Sequence, residues 1–311
     1  MADSTTALPV STINKTSNPL QWLKRLYLRS EALRGYLLLS PTLVIMIIAL
    51  GAPVLFLFAV SFWTQHLLDF TPGFVFDNYI EFAEKGNYQR LLWRSIKISG
   101  FVTILSILLA YPMAYFIAFR VTKSKLIWII LITVPFWTSY LLRVFAWKVI
   151  LGYNGVINSG LMELGLIDSP LEFILYSPFA VVVTLAHAWA AFAILPIYLS
   201  LEKIDRSLLE AATDLGDTPA QRFFRITLPL SMAGVVAAAL LVFIPTVADY
   251  ITPALVGGPR GLMIGNLIQL QFQKANNWPM GATLSVISLM AITFIVSAFL
   301  WITRRVRTQD L

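Results

Sequence analysis

The chain has 311 residues, of which 58% are hydrophobic and only 13% charged, with a formal net charge of +7. Soluble domains are about 45–50% apolar and about 25% charged, so the composition argues strongly against a globular cytosolic enzyme. The absence of cysteine excludes disulfides, thiolate metal sites and Cys nucleophiles, and with only His66 and His187 little remains for a metal cluster.

Residues 1–19 are rich in Ser, Thr, Asn and Pro and are predicted to be disordered. Beyond them Leu20, Trp22, Leu23, Leu26 and Leu33 alternate with Lys24, Arg25, Arg29 and Arg34. This pattern suits an amphipathic helix lying on a membrane surface, and equally a flexible basic tail. A membrane helix needs about 20 apolar residues. No Asp, Glu, Lys or Arg occurs in 35–68, 98–119, 173–201, 226–248 or 275–303, and a sixth apolar stretch, 126–151, is interrupted only by Arg143 and Lys148. Six helices are therefore expected, near 37–63, 95–119, 126–151, 177–200, 228–251 and 281–303. The first is too long, and starts too far into the chain, to be a cleaved signal peptide.

Positive charge in short loops sets orientation. Lys15, Lys24, Arg25, Arg29 and Arg34 precede the first helix, Arg120, Lys123 and Lys125 follow the second, Lys203, Arg206, Arg222 and Arg225 follow the fourth, and Arg304, Arg305 and Arg307 follow the sixth. The intervening loops hold Asp69, Asp77, Glu81 and Glu84, then Glu163, Asp168 and Glu172. Both termini are thus expected in the cytoplasm. That side carries 15 Lys and Arg against 8 Asp and Glu, and the rest of the chain carries 8 of each. The +7 excess is a topology signal, not a nucleic-acid surface, and says nothing about the charge of a cargo.

The loop after the fourth helix carries a motif. Ser207 and Glu210 fit the capping box S-x-x-E, Gly216 stands where a first short helix should end, and Thr218, Pro219 and Gln221 form a second start signal. Pro229 is expected to open the fifth membrane helix. Two capped polar helices between membrane spans read as a rigid docking element. The pattern E-A-A-x3-G-x9-I-x-L-P is complete in Glu210, Ala211, Ala212, Gly216, Ile226, Leu228 and Pro229. It resembles the signature loop of the membrane permeases of binding-protein-dependent ATP-binding-cassette importers. The resemblance implies an all-α polytopic membrane protein of the type I importer permease fold in the bacterial inner membrane. In that family the loop is a coupling helix seated in a groove of the cytoplasmic ATPase. The implied partners are an ATPase subunit dimer, a second permease subunit forming a heterodimer, and a solute-binding protein. ATP and Mg would be bound by the ATPase, and this chain would bind no cofactor and have no catalytic residues. The implied layout is a cytoplasmic tail over 1–35, a permease domain over 36–305 with its coupling loop at 201–229, and a tail over 306–311.

Further segments narrow the resemblance: Pro135 to Trp147 in the third helix, then Phe243 to Pro259, Met263 to Asn266, and Asn277 to Pro279. These are similar to the spermidine/putrescine branch, which also includes carriers of opines and other small nitrogenous solutes. Asp249 stands where that branch usually has a glutamate.

Charges inside a membrane need a partner or a water-filled cavity. Arg143 lies 18 residues past Lys125 and Asp249 lies 20 past Pro229, about 27 and 30 Å along continuous helices. Both are then expected near the outer surface, as an outer-gate ion pair, as contacts of the solute or its binding protein, or as two groups snorkelling separately. His187 is expected near mid-membrane, either lining the translocation pathway or bonded between helices. Pro245 should kink or break the fifth helix one turn before Asp249. For a polyamine, Asp249, Tyr250, Trp137 and Tyr140 would be contacts through charge pairing and cation–π attraction, with packing as the alternative for the aromatics.

Two other classes fit the sequence less well. An ion-driven secondary transporter should show paired halves with matched broken helices, and no clear repeat is visible. A membrane enzyme should cluster His, Asp or Glu near one interface, whereas the outer acids are dispersed. No G-x-x-x-x-G-K-[ST] occurs, and Gly257-Gly258-Pro259-Arg260-Gly261 reads as a turn.

Overall fold

The computed structural model describes residues 31–66 and 69–309, with side chains from 35 to 65 and from 69 to 305. The disorder expected over 1–19 lies outside the described residues, as does most of the interfacial helix expected after it. In chain order the elements are α1 (Glu31–Val60), β1 (Thr64–His66), β2 (Asp69–Thr71), α2 (Asp77–Glu84), α3 (Gly86–Phe119), α4 (Lys125–Thr133), α5 (Tyr140–Ile150) and α6 (Val156–Glu163). They continue with α7 (Pro178–Ala188), α8 (Ala190–Glu202), α9 (Arg206–Asp214), α10 (Pro219–Arg222), α11 (Leu228–Val247), α12 (Gly258–Gly261), α13 (Ile264–Gln273) and α14 (Trp278–Gln309). The residues up to Phe56 form one unit and those from Leu57 another.

Among the described residues, four helices are long and apolar enough to cross a membrane: Gly35–Val60, Gly86–Phe119, Pro219–Val247 and Trp278–Arg305. The third and fourth expected spans are each two helices. Lys125–Trp137 meets Tyr140–Ile150 at 89°, and Pro178–Ala188 meets Ala190–Glu202 at 48°. Counting each bent pair as one span gives six.

The first break has a local cause. Pro135 has no N–H to donate to the preceding turn; Val134–Trp137 tightens into a 3-10 turn, and Thr138 is extended at φ −80°, ψ 153°. The Thr138 hydroxyl then donates to the Pro135 carbonyl at 2.6 Å. The expectation of one continuous helix over 126–151 is therefore wrong, and the depth obtained for Arg143 by counting residues along it does not hold.

The first helix ends at Val60 rather than 63, and a two-stranded antiparallel hairpin follows, pairing Thr64 with Thr71 and Gln65 with Phe70. This small sheet is a departure from an all-α chain. Asn78 holds the turn before it, its amide donating to the carbonyls of Ser61 at 3.1 Å and Trp63 at 2.9 Å. Side chains of α1 up to Phe56 are nearly all exposed, including Ile45, Ile47 and Leu55. A helix apolar all round suits lipid or another protein.

The core of the larger unit is built by α3, α5, α7, α8 and α11 around Val102, Ala114, Val144, Leu185, Ile197 and Val242. Hydrocarbon gives no hydrophobic drive between membrane helices, so their backbones approach through small residues. Gly234 and the buried Ala238, four residues apart, do this on α11. A Cβ on Gly234 would stand 2.5 Å from the Pro196 carbonyl oxygen and 2.5 Å from the Ser200 Cβ on α8. The α3–α11 contact includes a buried hydrogen bond of 2.7 Å between the Tyr111 and Ser231 hydroxyls. Gly234→Ala should therefore lower stability by about 1–3 kcal/mol, the usual range for overpacking. A melting midpoint of the solubilised protein equal to wild type would disprove this close approach.

Candidate functional site: the coupling loop and the Asp249 cluster

The loop joining the fourth and fifth spans folds as two short helices. The first, α9, starts at Arg206 and is capped by Asp205, whose carboxylate accepts the Ser207 backbone N–H at 3.0 Å. That bond holds the Asp205 carboxyl below the ordinary carboxylate range. Ser207 is thus inside the helix, and the expected Ser207–Glu210 box does not form; of two cap-type residues two positions apart, the earlier one starts the helix. Glu210 and Ala211 are exposed, whereas Ala212 is buried against the rest of the protein.

Gly216 ends the helix at φ +89°, in the left-handed region where a Cβ is strained. The turn it makes leaves Leu215 88% exposed, an apolar tip that the motif alone did not single out. Asp217 then accepts from Arg225 at 2.9 Å. The expected second start signal is formed in full: Thr218 caps α10, its hydroxyl accepting the Gln221 N–H at 3.3 Å while the Gln221 side chain accepts the Thr218 N–H at 2.8 Å.

The fifth span does not begin anew at Pro229. Helix α10 runs through a wide turn, Phe223–Thr227, into α11, with the Leu228 N–H donating to the Phe223 carbonyl five residues back. Pro219–Val247 is one helix of 29 residues, about 43 Å at 1.5 Å per residue. Ile226 and Leu228 are half-buried within it and Pro229 is exposed. Pro245 does not break it. The helix continues to Val247 and ends, so Asp249 lies just beyond the helix rather than one turn further along it.

At that end three helical segments meet. The Asp249 carboxylate accepts the Tyr140 hydroxyl at 2.5 Å through one oxygen and the Ile251 N–H at 3.0 Å through the other. Tyr140 and Thr252 hydroxyls lie 2.6 Å apart. Tyr140 has a single proton, which goes to the carboxylate, so Thr252 is the donor to Tyr140. One turn along α5, Arg143 donates to the Ala188 carbonyl at 3.1 Å, at the bend of the fourth span. Its guanidinium lies 4.7 Å from the Phe136 ring centroid and 5.8 Å from that of Tyr140. Of the arrangements open to Arg143 and Asp249, the ion pair does not form; a backbone carbonyl and aromatic faces hold the arginine instead.

His187 adjoins that same bend, with its ring 5.4 Å from Trp147. Asp249, Tyr140, Arg143 and His187 are therefore connected through α5. Tyr250 is exposed, and its carbonyl accepts from Asn266 at 2.7 Å while the Asn266 oxygen accepts the Met263 N–H at 3.0 Å. Trp137 stands apart from the cluster, 81% exposed at the break of the third span. Thr252 and Asn266 escaped the sequence reading: a hydroxyl and an amide on a loop carry no periodic signal, and only the Asp249-x-x-Thr252 spacing hinted at a shared partner.

The model of the binding-protein-dependent transport system inner membrane component family matches residues 32–308. The chain belongs to that family. It is thus an importer permease, and the complete loop motif and the apolar helices agree. The permease is 37% identical over 235 residues to the spermidine/putrescine transport system permease protein PotB of Haemophilus influenzae, covering 75% of this chain and 82% of that one. It is 33% identical over 270 residues to the inner membrane ABC transporter permease protein YdcU of Escherichia coli, covering 82% and 85%. Its fold matches a crystal structure of a bacterial ABC transporter involved in import of the acidic polysaccharide alginate, with TM-score 0.67 at 20% identity over 92% of this chain and 98% of that one. A second crystal structure, of the alginate transporter in complex with a periplasmic protein carrying an alginate pentasaccharide, gives TM-score 0.68 at 19% identity over 92% and 97%.

Proposed function

We propose that this permease moves a polyamine, or a closely related nitrogenous cation, through a six-span pathway with both termini in the cytoplasm. The observation that carries the cargo assignment is the 37% identity to spermidine/putrescine permeases, with a carboxylate, Asp249, at the end of the fifth span. The partners in this reading are a second permease facing this one, two ATPase subunits that hold ATP and Mg, and a solute-binding protein. Leu215 and the exposed face of α9 seat in the ATPase groove. Because α10 and α11 are one helix, ATPase closure displaces the fifth span as a lever and carries the Asp249 end with it. The pathway then changes from inward-facing to outward-facing, the binding protein releases its solute, and hydrolysis resets the assembly.

Asp249, Tyr250 and Tyr140 would meet the cation, with His187 and Arg143 further along the wall. Tyr140 occupies one carboxylate oxygen, so an amine donor would compete with a phenol, not with an arginine. The test is uptake by the whole transporter reconstituted with its binding protein, using radiolabelled spermidine, putrescine and an opine. Saturable, ATP-dependent uptake of either polyamine is expected, with no uptake of the opine. Uptake of the opine alone would refute the cargo while leaving the permease assignment intact.

A further inference from the structure

Away from the Asp249 cluster, a groove of about 560 Å³ runs along the outside of α3 where it passes α7. Three cations, Arg94, Lys97 and Arg260, line it, and no carboxylate among the described residues does. These cations lie outside the basic cytoplasmic segments of the expected topology, so the positive-inside bias does not account for them.

Arg94 and Arg260 are brought together by the backbone. The Arg94 guanidinium donates to the Pro259 carbonyl at 3.2 Å, which fixes the short turn carrying Arg260 beside α3. That contact uses one nitrogen and leaves further N–H groups for an oxyanion. Lys97, one turn along, lies 5.6 Å from the Trp93 ring. Below the cations the wall is apolar: Phe101, Ile104 and Leu108 follow Lys97 on one face of α3, and Phe179 faces them from α7. Lys97 to Leu108 is 11 residues, about 16 Å, close to the depth of one leaflet of a hydrocarbon core about 30 Å thick.

We propose that this groove holds an anionic phospholipid, its phosphate among Arg94, Lys97 and Arg260 and an acyl chain along Phe101 to Leu108. Guanidinium and ammonium groups pair with a phosphate, and basic pockets between membrane helices hold acidic headgroups. Three cations that merely snorkelled would need no tie to one another, whereas here Arg94 is bonded to the turn that carries Arg260, above a chain-length apolar wall. The inference rests on the chain lying in a bilayer and is independent of the cargo.

The test is native mass spectrometry of the assembled transporter, exchanged into detergent and supplied with equal phosphatidylglycerol and phosphatidylcholine. Wild type should retain phosphatidylglycerol at least fivefold over phosphatidylcholine, and free glycerol phosphate should not compete. Arg94→Gln/Lys97→Gln/Arg260→Gln should abolish the preference. Leu108→Trp, which fills the groove and keeps the cations, should lower retention of phosphatidylglycerol. Equal retention of the two lipids by wild type, or an unchanged preference in both variants, would overturn the site. So would competition by glycerol phosphate, which would mean a simple anion site. Loss of the second permease from both variants, in the presence of either lipid, would show the groove to be a subunit interface and refute the proposal.

Discussion

Gly216→Val should lower solute uptake by more than tenfold while the binding protein still captures its ligand. At φ +89° a β-branched residue meets its own carbonyl, at a cost of about 1–2 kcal/mol, and the turn relaxes by moving away from that geometry. The loop is exposed at this point, and nothing lies within 4 Å of a Cβ added there, so the protein should still fold. What moves is the direction of Leu215 and the angle between α9 and α10. In the proposed coupling role, the fit to the ATPase depends on both. Gly216→Asn is the matching control, because asparagine adopts the left-handed conformation with little strain; it should keep most of the uptake. The measurements are ATP-dependent uptake in proteoliposomes and ATPase stimulation by loaded binding protein. Normal values for Gly216→Val in both would end the assignment of this loop as the coupling element.

The second large effect is expected at Asp249. Asp249→Asn keeps the size of the side chain and removes the charge; its single amide oxygen can still accept the Ile251 N–H, while its NH2 can donate to the Tyr140 hydroxyl, which then donates to Thr252. A carboxylate 4 Å from an ammonium is worth about 4 kcal/mol at an effective dielectric constant of 20, and a tenfold loss needs only about 1.4 kcal/mol. Uptake of a polyamine should therefore fall at least tenfold, with assembly and melting temperature close to wild type. Tyr140→Phe separates the two roles open to this carboxylate. It takes away the 2.5 Å hydrogen bond and leaves the charge. If Asp249 meets the solute, the two variants diverge, with Asp249→Asn far worse for uptake. If Asp249 only ties α5 to the end of the fifth span, both should lower the melting temperature and uptake together. The second pattern would remove Asp249 from the cargo pathway.

Much of this architecture is legible in the chain because two signals are local. Charge-free runs of about 20 residues mark spans wherever a helix stays straight, as in α3 and α11. Capping residues mark helix ends, and the Thr218–Gln221 box and the Gly216 turn form where the sequence places them. The misplaced depths of Arg143 and Asp249 share one origin: they assume that a helix, once started, continues along its axis. Pro135 was visible, yet the size of the bend depends on what α5 can reach afterwards, and what it reaches is Asp249, Thr252 and the Ala188 carbonyl. The bend at Trp189 has no proline at all; its anchor, Arg143, is 46 residues earlier. Pairing Arg143 with Asp249 matched opposite charges at equal counted depth. That pairing is one of three arrangements that the sequence leaves open, and none of them includes the bare carbonyl and two ring faces that the guanidinium takes. Pro245 misled in the other direction, since a proline in the last turn before a helix end disturbs little.

The wide turn at Phe223–Thr227 makes the spacing between Gly216 and Asp249 a fixed quantity. One residue rotates a helix by about 100°, and Pro219–Val247 is continuous. A single deletion or insertion anywhere in that stretch would swing Asp249 a quarter of a revolution or more away from Tyr140 while the loop kept its place. A five-residue turn can be converted to an ordinary one only by losing a residue, so it acts as a phase setting between the two ends. Engineering of this permease can lengthen its other loops, but the interval from the coupling loop to the carboxylate has to be kept residue for residue.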